Sequence, residues 1–257
     1  MSEPILSGAE PFHASGASSG ASSGVLVLHG FTGNPQSMRP LAEAFARSGF
    51  AVDLPVLPGH GTTVEEMIPT RWADWSGAAE KALLEMSSQC DTVVVAGLSM
   101  GGTLAIWLAE RSPELAGIVV VNPLVDPPAE SFREIVQGML DTGAETMPGI
   151  GSDIAAPGVS EVAYEQTPLA AMLSLFDGAA EVAGSLGDVR CPVLLFSSRE
   201  DHVVPVDSGD LLMAGVRGQI ERVWLERSYH VATLDHDGPL IEERAVAFAR
   251  SLARTAP

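Results

Sequence analysis

The chain has 257 residues, a length that suits one large α/β domain or two small ones. Hydrophobic residues make up 46%, enough for a sizeable core and far from a disordered composition. The 33 acidic residues against 14 basic ones give a formal charge of −19, which repels phosphate backbones and anionic lipid and so argues against nucleic-acid partners and against membrane docking by charge.

Met1-Ser2-Glu3-Pro4 carries no basic region followed by an apolar stretch, so no secretion signal is expected. No apolar run is read as long enough for a membrane span. Residues 1–24 read as a leader. Its 14–24 part, Ala-Ser-Gly-Ala-Ser-Ser-Gly-Ala-Ser-Ser-Gly, is small, polar and repetitive, and a flexible surface loop is expected there. Strands are then expected at 25–28, 50–54, 92–96, 118–121, 193–196 and 221–225. Helices are expected at 40–47, 72–86, 100–110, near 206–216 and over 239–252. The alternation breaks over 123–189, which is rich in Pro, Gly and Met and reads as irregular helical fragments. The expected fold class is therefore α/β, with a mostly parallel central sheet flanked by helices. Residues 25–122 and 190–257 form the core and 123–189 a cap insertion. Cys90 and Cys191 each precede an apolar run. With one strand between those runs they lie about 9–10 Å apart, too far for a disulfide, which fits a reducing cytoplasm.

A parallel sheet binds ligands beyond the carboxyl ends of its strands. Gly-x-Ser-x-Gly occurs three times there and in the leader: around Ser18, Ser22 and Ser99. Only Ser99 follows a β-prone run and opens a helical pattern. A nucleophile needs that strand-to-helix turn, because it lifts the hydroxyl clear of the sheet and aims a helix N-terminus at the developing charge. The strand at 25–28 ends in His29-Gly30-Phe31. Its loop can supply one oxyanion N–H from Phe31, with the second from Met100, the residue after the nucleophile. His29 is expected to brace the loop.

A serine needs a base, and the base an orienting carboxylate. In chain order the acid should follow the strand at 193–196, where Glu200 and Asp201 compete and Asp201 is preferred. The base should follow the last strand, which selects His230 over the runner-up His236.

At these residues the sequence resembles the α/β-hydrolase family, and more narrowly the bacterial monoacylglycerol lipases and compact carboxylesterases. The resemblance runs through His29 to Gly33, Gly59-His60-Gly61-Thr62, Gly97 to Thr103, Glu200 to Pro205 and Ser228 to Asp235. It extends into the insertion at Ile150-Gly151-Ser152-Asp153 and Ala163 to Pro168. It implies hydrolysis of a monoacylglycerol to glycerol and fatty acid through an acyl-enzyme, with no metal or cofactor. It also implies a cap over Ser99, with Met139, Leu140, Met147, Ile150, Met172, Leu173, Leu175 and Phe176 toward the acyl chain or a lipid surface. Glu161 would accept a hydrogen bond from a glycerol hydroxyl. The competing readings are a general carboxylesterase of short-chain preference and a non-catalytic receptor that keeps the pocket.

Overall fold

A computed structural model describes residues 3–16 and 23–253. The first half comprises β1 (Phe12–Ser15), β2 (Ser23–Leu28), α1 (Arg39–Arg47), β3 (Ala51–Leu54), α2 (Val64–Met67), α3 (Trp72–Ser87), β4 (Thr92–Leu98) and α4 (Met100–Arg111). Then come β5 (Gly117–Val121), α5 (Glu130–Asp141), β6 (Thr146–Pro148), β7 (Gln166–Pro168) and α6 (Leu169–Ser185). The chain closes with β8 (Val193–Ser198), α7 (Asp207–Gly215), β9 (Ile220–Leu225) and α8 (Gly238–Ala253).

Seven strands make one sheet in the order β1-β3-β2-β4-β5-β8-β9, and β6 pairs with β7 in a separate hairpin. All neighbours in the large sheet are parallel except β1 and β3, which run antiparallel with Phe12 opposite Leu54. The central strands β4 and β5 are buried along their whole length, as a sheet covered on both faces requires. Successive side chains alternate between those faces. Leu26, Val93, Val95, Ile118 and Val120 pack with α3, α4 and α6. Val25, Val27, Val94, Ala96 and Val119 pack with α1 and α8. This is the α/β-hydrolase arrangement, and every core strand and helix expected from the sequence is present.

Three expectations change. First, Ala14 and Ser15 belong to β1 rather than to a loop, and Ser23 and Gly24 open β2. His13 in β1 sits 2.8 Å from Asp53 Oδ1 across the strand pair. Residues 17–22, with Ser18 and Ser22, lie outside the described residues.

Second, the stretch 123–189 is more regular than its composition suggests. It contains α5, the β6–β7 hairpin and the 17-residue α6. Helix α6 is part of the layer packed on α3 and α4, not of a cap. Its Leu169, Met172, Leu175, Phe176, Ala179 and Val182 recur at helical spacing and are buried. Gly178 lets it approach α3 closely, since a Cβ there would lie 2.2 Å from the Trp72 ring.

Third, Leu169–Asp188 does have the length and mean hydropathy (1.3) of a membrane span. Half of that window is buried against the rest of the fold, as befits a core helix.

Cys90 and Cys191 are free and buried, and the order β4-β5-β8 puts one strand between the strands they precede.

Candidate active site

The carboxyl ends of β4, β5, β8 and β9 converge under the insertion. Ser99 follows β4 and caps α4 at φ 54°, ψ −119°. A non-glycine residue held there stores about 1–3 kcal/mol of strain, which surrounding contacts must offset. The turn is closed by its glycines. A Cβ on Gly97 would lie 2.1 Å from the Gly101 carbonyl oxygen, and one on Gly101 2.1 Å from that of Leu28. Ser99 N–H donates to the Val121 carbonyl at 3.0 Å, and the Thr103 hydroxyl ties α4 to Leu124 O at 2.8 Å. The turn is thereby anchored to β5.

The loop after β9 brings His230 to the acid loop after β8. Nδ1 of His230 lies 2.9 Å from Asp201 Oδ2 and 3.1 Å from Oδ1. Asp201 Oδ1 also accepts from the N–H groups of Val203 and Val204 at 2.9 and 2.8 Å, so the carboxylate is aimed by its own loop. The Asp201 and His230 side chains are only 3% and 8% exposed. Glu200 and His236, the competing acid and base, are exposed. A carboxylate at Nδ1 fixes the tautomer that leaves Nε2 as the free acceptor. Ser99 and His230 line the same cavity.

Phe31 also lines this cavity. Met100 N–H belongs to the first turn of α4, whose amides an α-helix leaves without intrahelical partners. Beneath Phe31, His29 is fully buried. Its Nε2 accepts from Leu57 N–H at 3.1 Å, so the proton sits on Nδ1, which donates to Gly30 O at 2.9 Å. Burial, and secondarily the neighbouring His60, push its pKa down to about 3. Burial lowers His60 likewise, to about 4. His29 thus sits under the loop where a brace was expected, and a second neutral imidazole that was not, His60, packs against it at 5.0 Å.

The cavity measures about 420 Å³. Of the residues expected to contact substrate, Ile150, Met172 and Glu161 line it, as do Met147, Leu175 and Phe176. Met139 does not, nor do Leu140 and Leu173. Met139 is packed against the core at the far end of α5. The cavity is reached by Phe132, seven residues earlier and hence about 10 Å back along the helix axis. Glu161 enters beside Gly33, where a Cβ would stand 2.6 Å from Glu161 Oε1. Burial holds its carboxyl above the usual range, opposed by the His230 charge and a hydrogen bond from Ser37.

Three polar residues were given no role in the sequence reading, although Asp153 stands in one of the motifs that carry the resemblance. Asn122, at φ 44°, follows β5 and spans to the neighbouring loops. Its Nδ2 donates to Ser198 Oγ at 2.9 Å and His230 O at 2.8 Å, while its Oδ1 accepts from Ser198 N–H at 2.8 Å. Its position one residue past an apolar strand was the available signal. Asp126 and Asp153, both in the insertion, line the cavity with Glu161.

A strained serine at a strand-to-helix turn, an adjacent Asp-paired histidine and a parallel α/β sheet define the class of serine-type α/β-hydrolases. The chain belongs to the hydrolase family described as serine aminopeptidase, S33, whose profile matches residues 20–237. It is 48% identical to a thermostable monoacylglycerol lipase of Bacillus sp. (strain H-257), over 96% of this chain and 98% of that protein. It is 27% identical to a carboxylesterase of Bacillus subtilis (strain 168), over 91% and 94%. Among solved structures, one from work on the metagenome-derived lipolytic enzymes LipS and LipT superposes with a TM-score of 0.91 at 44% identity, covering 96% of this chain and 100% of that one. A monoacylglycerol lipase of Paleococcus ferrophilus shares the fold at TM-score 0.78 and 16% identity, over 94% and 98%.

Proposed function

We propose that this protein is a monoacylglycerol lipase, a serine carboxylic ester hydrolase that releases glycerol and a fatty acid. One observation carries the mechanism: Ser99, on its positive-φ turn, opens into the same cavity as the Asp201-paired His230. Ser99 Oγ attacks the ester carbonyl while His230 Nε2 takes its proton. The Phe31 and Met100 amides receive the oxyanion. His230 then protonates the departing glycerol oxygen, leaving an acyl-Ser99 that water hydrolyses by the same steps. Asp201 holds the imidazole in the tautomer that makes both transfers possible.

The substrate assignment draws on the 48% identical lipase and on the cavity's two-sided lining. Met147, Met172, Leu175 and Phe176 offer an apolar wall to an acyl chain. Glu161 offers a buried acceptor to a glycerol hydroxyl. Exposed apolar side chains on the insertion, Ile135 at 62% and Ile150 at 69%, suit a transient contact with lipid. Hydrolysis of 1-lauroylglycerol by wild type and Ser99→Ala tests the chemistry, and activity surviving in the variant refutes it. Glu161→Ala tests the glycerol subsite. We expect it to lower the rate ratio of 1-lauroylglycerol to methyl laurate about tenfold or more, the loss of one hydrogen bond to a charged acceptor. An unchanged ratio removes Glu161 from that role.

A further inference from the structure

We propose that Asp153 is a positioning residue that clamps the acid and base loops together from the insertion. The proposal rests on the reading of Ser99, Asp201 and His230 as the catalytic triad. The two loops arrive separately, one after β8 and one after β9. Asp201 touches His230 only through the imidazole, and Asn122 joins their backbones from below. From above, the Asp153 carboxylate reaches both. Its Oδ2 accepts from His230 N–H at 3.0 Å and from His202 N–H at 3.2 Å. Its Oδ1 meets His202 Nδ1 at 2.8 Å. Its own carbonyl accepts from Val231 N–H at 3.1 Å. One residue therefore holds the base itself, the residue after the base and the residue after the acid. Its side chain is 13% exposed, so water competes little for those bonds.

His202 completes the clamp. Its exposed ring packs edge to face on Tyr229 at 4.6 Å between centroids, next to His230 in the chain. The hydrogen bond and charge of Asp153 hold its imidazole above the usual histidine range, with Glu200 and Asp201 adding to the effect. The Asp153 carboxylate thereby fastens the insertion to the acid loop and the base loop at once, where Asp235 ties it to the base loop alone.

A clamp of this kind predicts a loss in turnover rather than in binding. A displacement of about 1 Å between reacting groups costs about 10²-fold in rate. The amide of Asp153→Asn preserves the geometry. Its oxygen accepts from both N–H groups, and its NH₂ donates to Nδ1 of a neutral His202. The experiment measures kcat and KM for 1-lauroylglycerol above pH 8, with kcat expressed per Ser99 titrated by a fluorophosphonate. Asp153→Ala should lose about 10²-fold in kcat with KM within about threefold, and Asp153→Asn should recover to within about fivefold of wild type. Should Asp153→Ala fail to fold, Asp153→Glu takes its place. It keeps charge and acceptors but moves them by one carbon, and a tenfold or larger fall in kcat is expected. The proposal is overturned if the Ala or Glu variant keeps kcat within twofold of wild type, or if Asn loses as much as Ala. Failure of the triad reading is seen separately, as activity in Ser99→Ala.

Discussion

The close approach of α4 to β2 at Gly101 makes a quantitative prediction. An alanine Cβ at 101 would stand 2.1 Å from Leu28 O, 2.6 Å from Leu28 C and 2.7 Å from His29 O. Ordinary van der Waals contact begins at 3.4 Å, so the nearest pair must separate by 3.4 − 2.1 = 1.3 Å. All three obstacles are backbone, and Leu28 is fully buried in a strand paired on both sides. No side chain can swing away. Either α4 lifts its N-terminus, moving Met100 N–H, or the end of β2 gives, moving the loop that carries Phe31 N–H. Overpacking without a flexible neighbour belongs at the top of its usual range, about 3 kcal/mol. In a chain of this size that is about 6–12 °C in Tm. A shift of an ångström at an oxyanion donor should cost about 10²-fold in kcat. Gly138, in the last turn of α5, is the internal control. A Cβ there meets nothing within 4 Å. Gly138→Ala should stabilise by about 0.5–1 kcal/mol through helix propensity and chain entropy, with kcat unchanged. Urea unfolding at 25 °C and kcat per titrated serine measure both variants. The reasoning is refuted if Gly101→Ala keeps its midpoint and its kcat within twofold of wild type, or if Gly138→Ala is as damaging.

Further predictions concern charge. Glu110 is buried beside Arg111, and burial pushes its carboxyl up to about 8, with Glu181 and Asp188 opposing the relief from Arg111. The folded state then binds the proton that the unfolded chain releases near pH 4.5. Its stabilising contribution is complete below that pH and lost as pH rises to about 8. Glu110→Gln should flatten the fall of Tm between pH 5 and pH 8 relative to wild type; parallel Tm profiles would contradict the assignment. Among the described residues, those lining the cavity include Asp126, Asp153 and Glu161 but neither Lys nor Arg. An anionic headgroup about 8 Å from one such carboxylate loses about 2 kcal/mol at an effective dielectric of 20, roughly thirtyfold in kcat/KM. Comparing 1-lauroylglycerol with 1-lauroylglycerol 3-phosphate tests this, and equal kcat/KM values would show that the carboxylates exert no such selection.

The candidate catalytic constellation was legible because each member follows from a local rule. Ser99 needs a strand behind and a helix ahead, and Asp201 and His230 the ends of the later strands; β4 and β8 are short apolar runs, while β9, Ile-Glu-Arg-Val-Trp-Leu, is shorter on apolar residues but rich in β-formers. What escaped depends on neighbours distant in sequence. Strand β1, Phe-His-Ala-Ser, has no β-branched residue and exists through its pairing with β3. Helix α6 follows Pro168 and carries Gly178 and Gly184, which read as breakers. Gly178 is there because the Trp72 ring lies against the helix, a fact no window around 178 contains. Met139 failed as a cavity residue for a related reason. The resemblance placed it toward the acyl chain, but which turn of α5 faces the cavity depends on how that helix lies across the fold.

The insertion differs from the core in what holds it, and this explains its opacity. Much of its attachment is polar and made to backbone. Asp235 accepts from the N–H groups of Ala155 and Ala156 at 2.7 and 2.9 Å as well as from Tyr229 N–H at 2.9 Å. These bonds keep its carboxyl below the usual range against the effect of burial. Tyr164 O–H donates to Gly59 O at 2.9 Å and accepts from Thr62 N–H at 3.0 Å, while its own N–H donates to Thr32 O at 3.1 Å. Asn34 and Gln36 hold Val162 from below. Such bonds leave no hydrophobic period, so the segment looks irregular while being positioned to within hydrogen-bond tolerance. A cover for a lipase site has reason to be built this way. Its inner surface must stay apolar for an acyl chain, so little apolar area remains for docking it on the core. Fixing it through carboxylates and backbone amides separates the two tasks, and places Asp153 and Glu161 on the same short segment as the apolar Ile150.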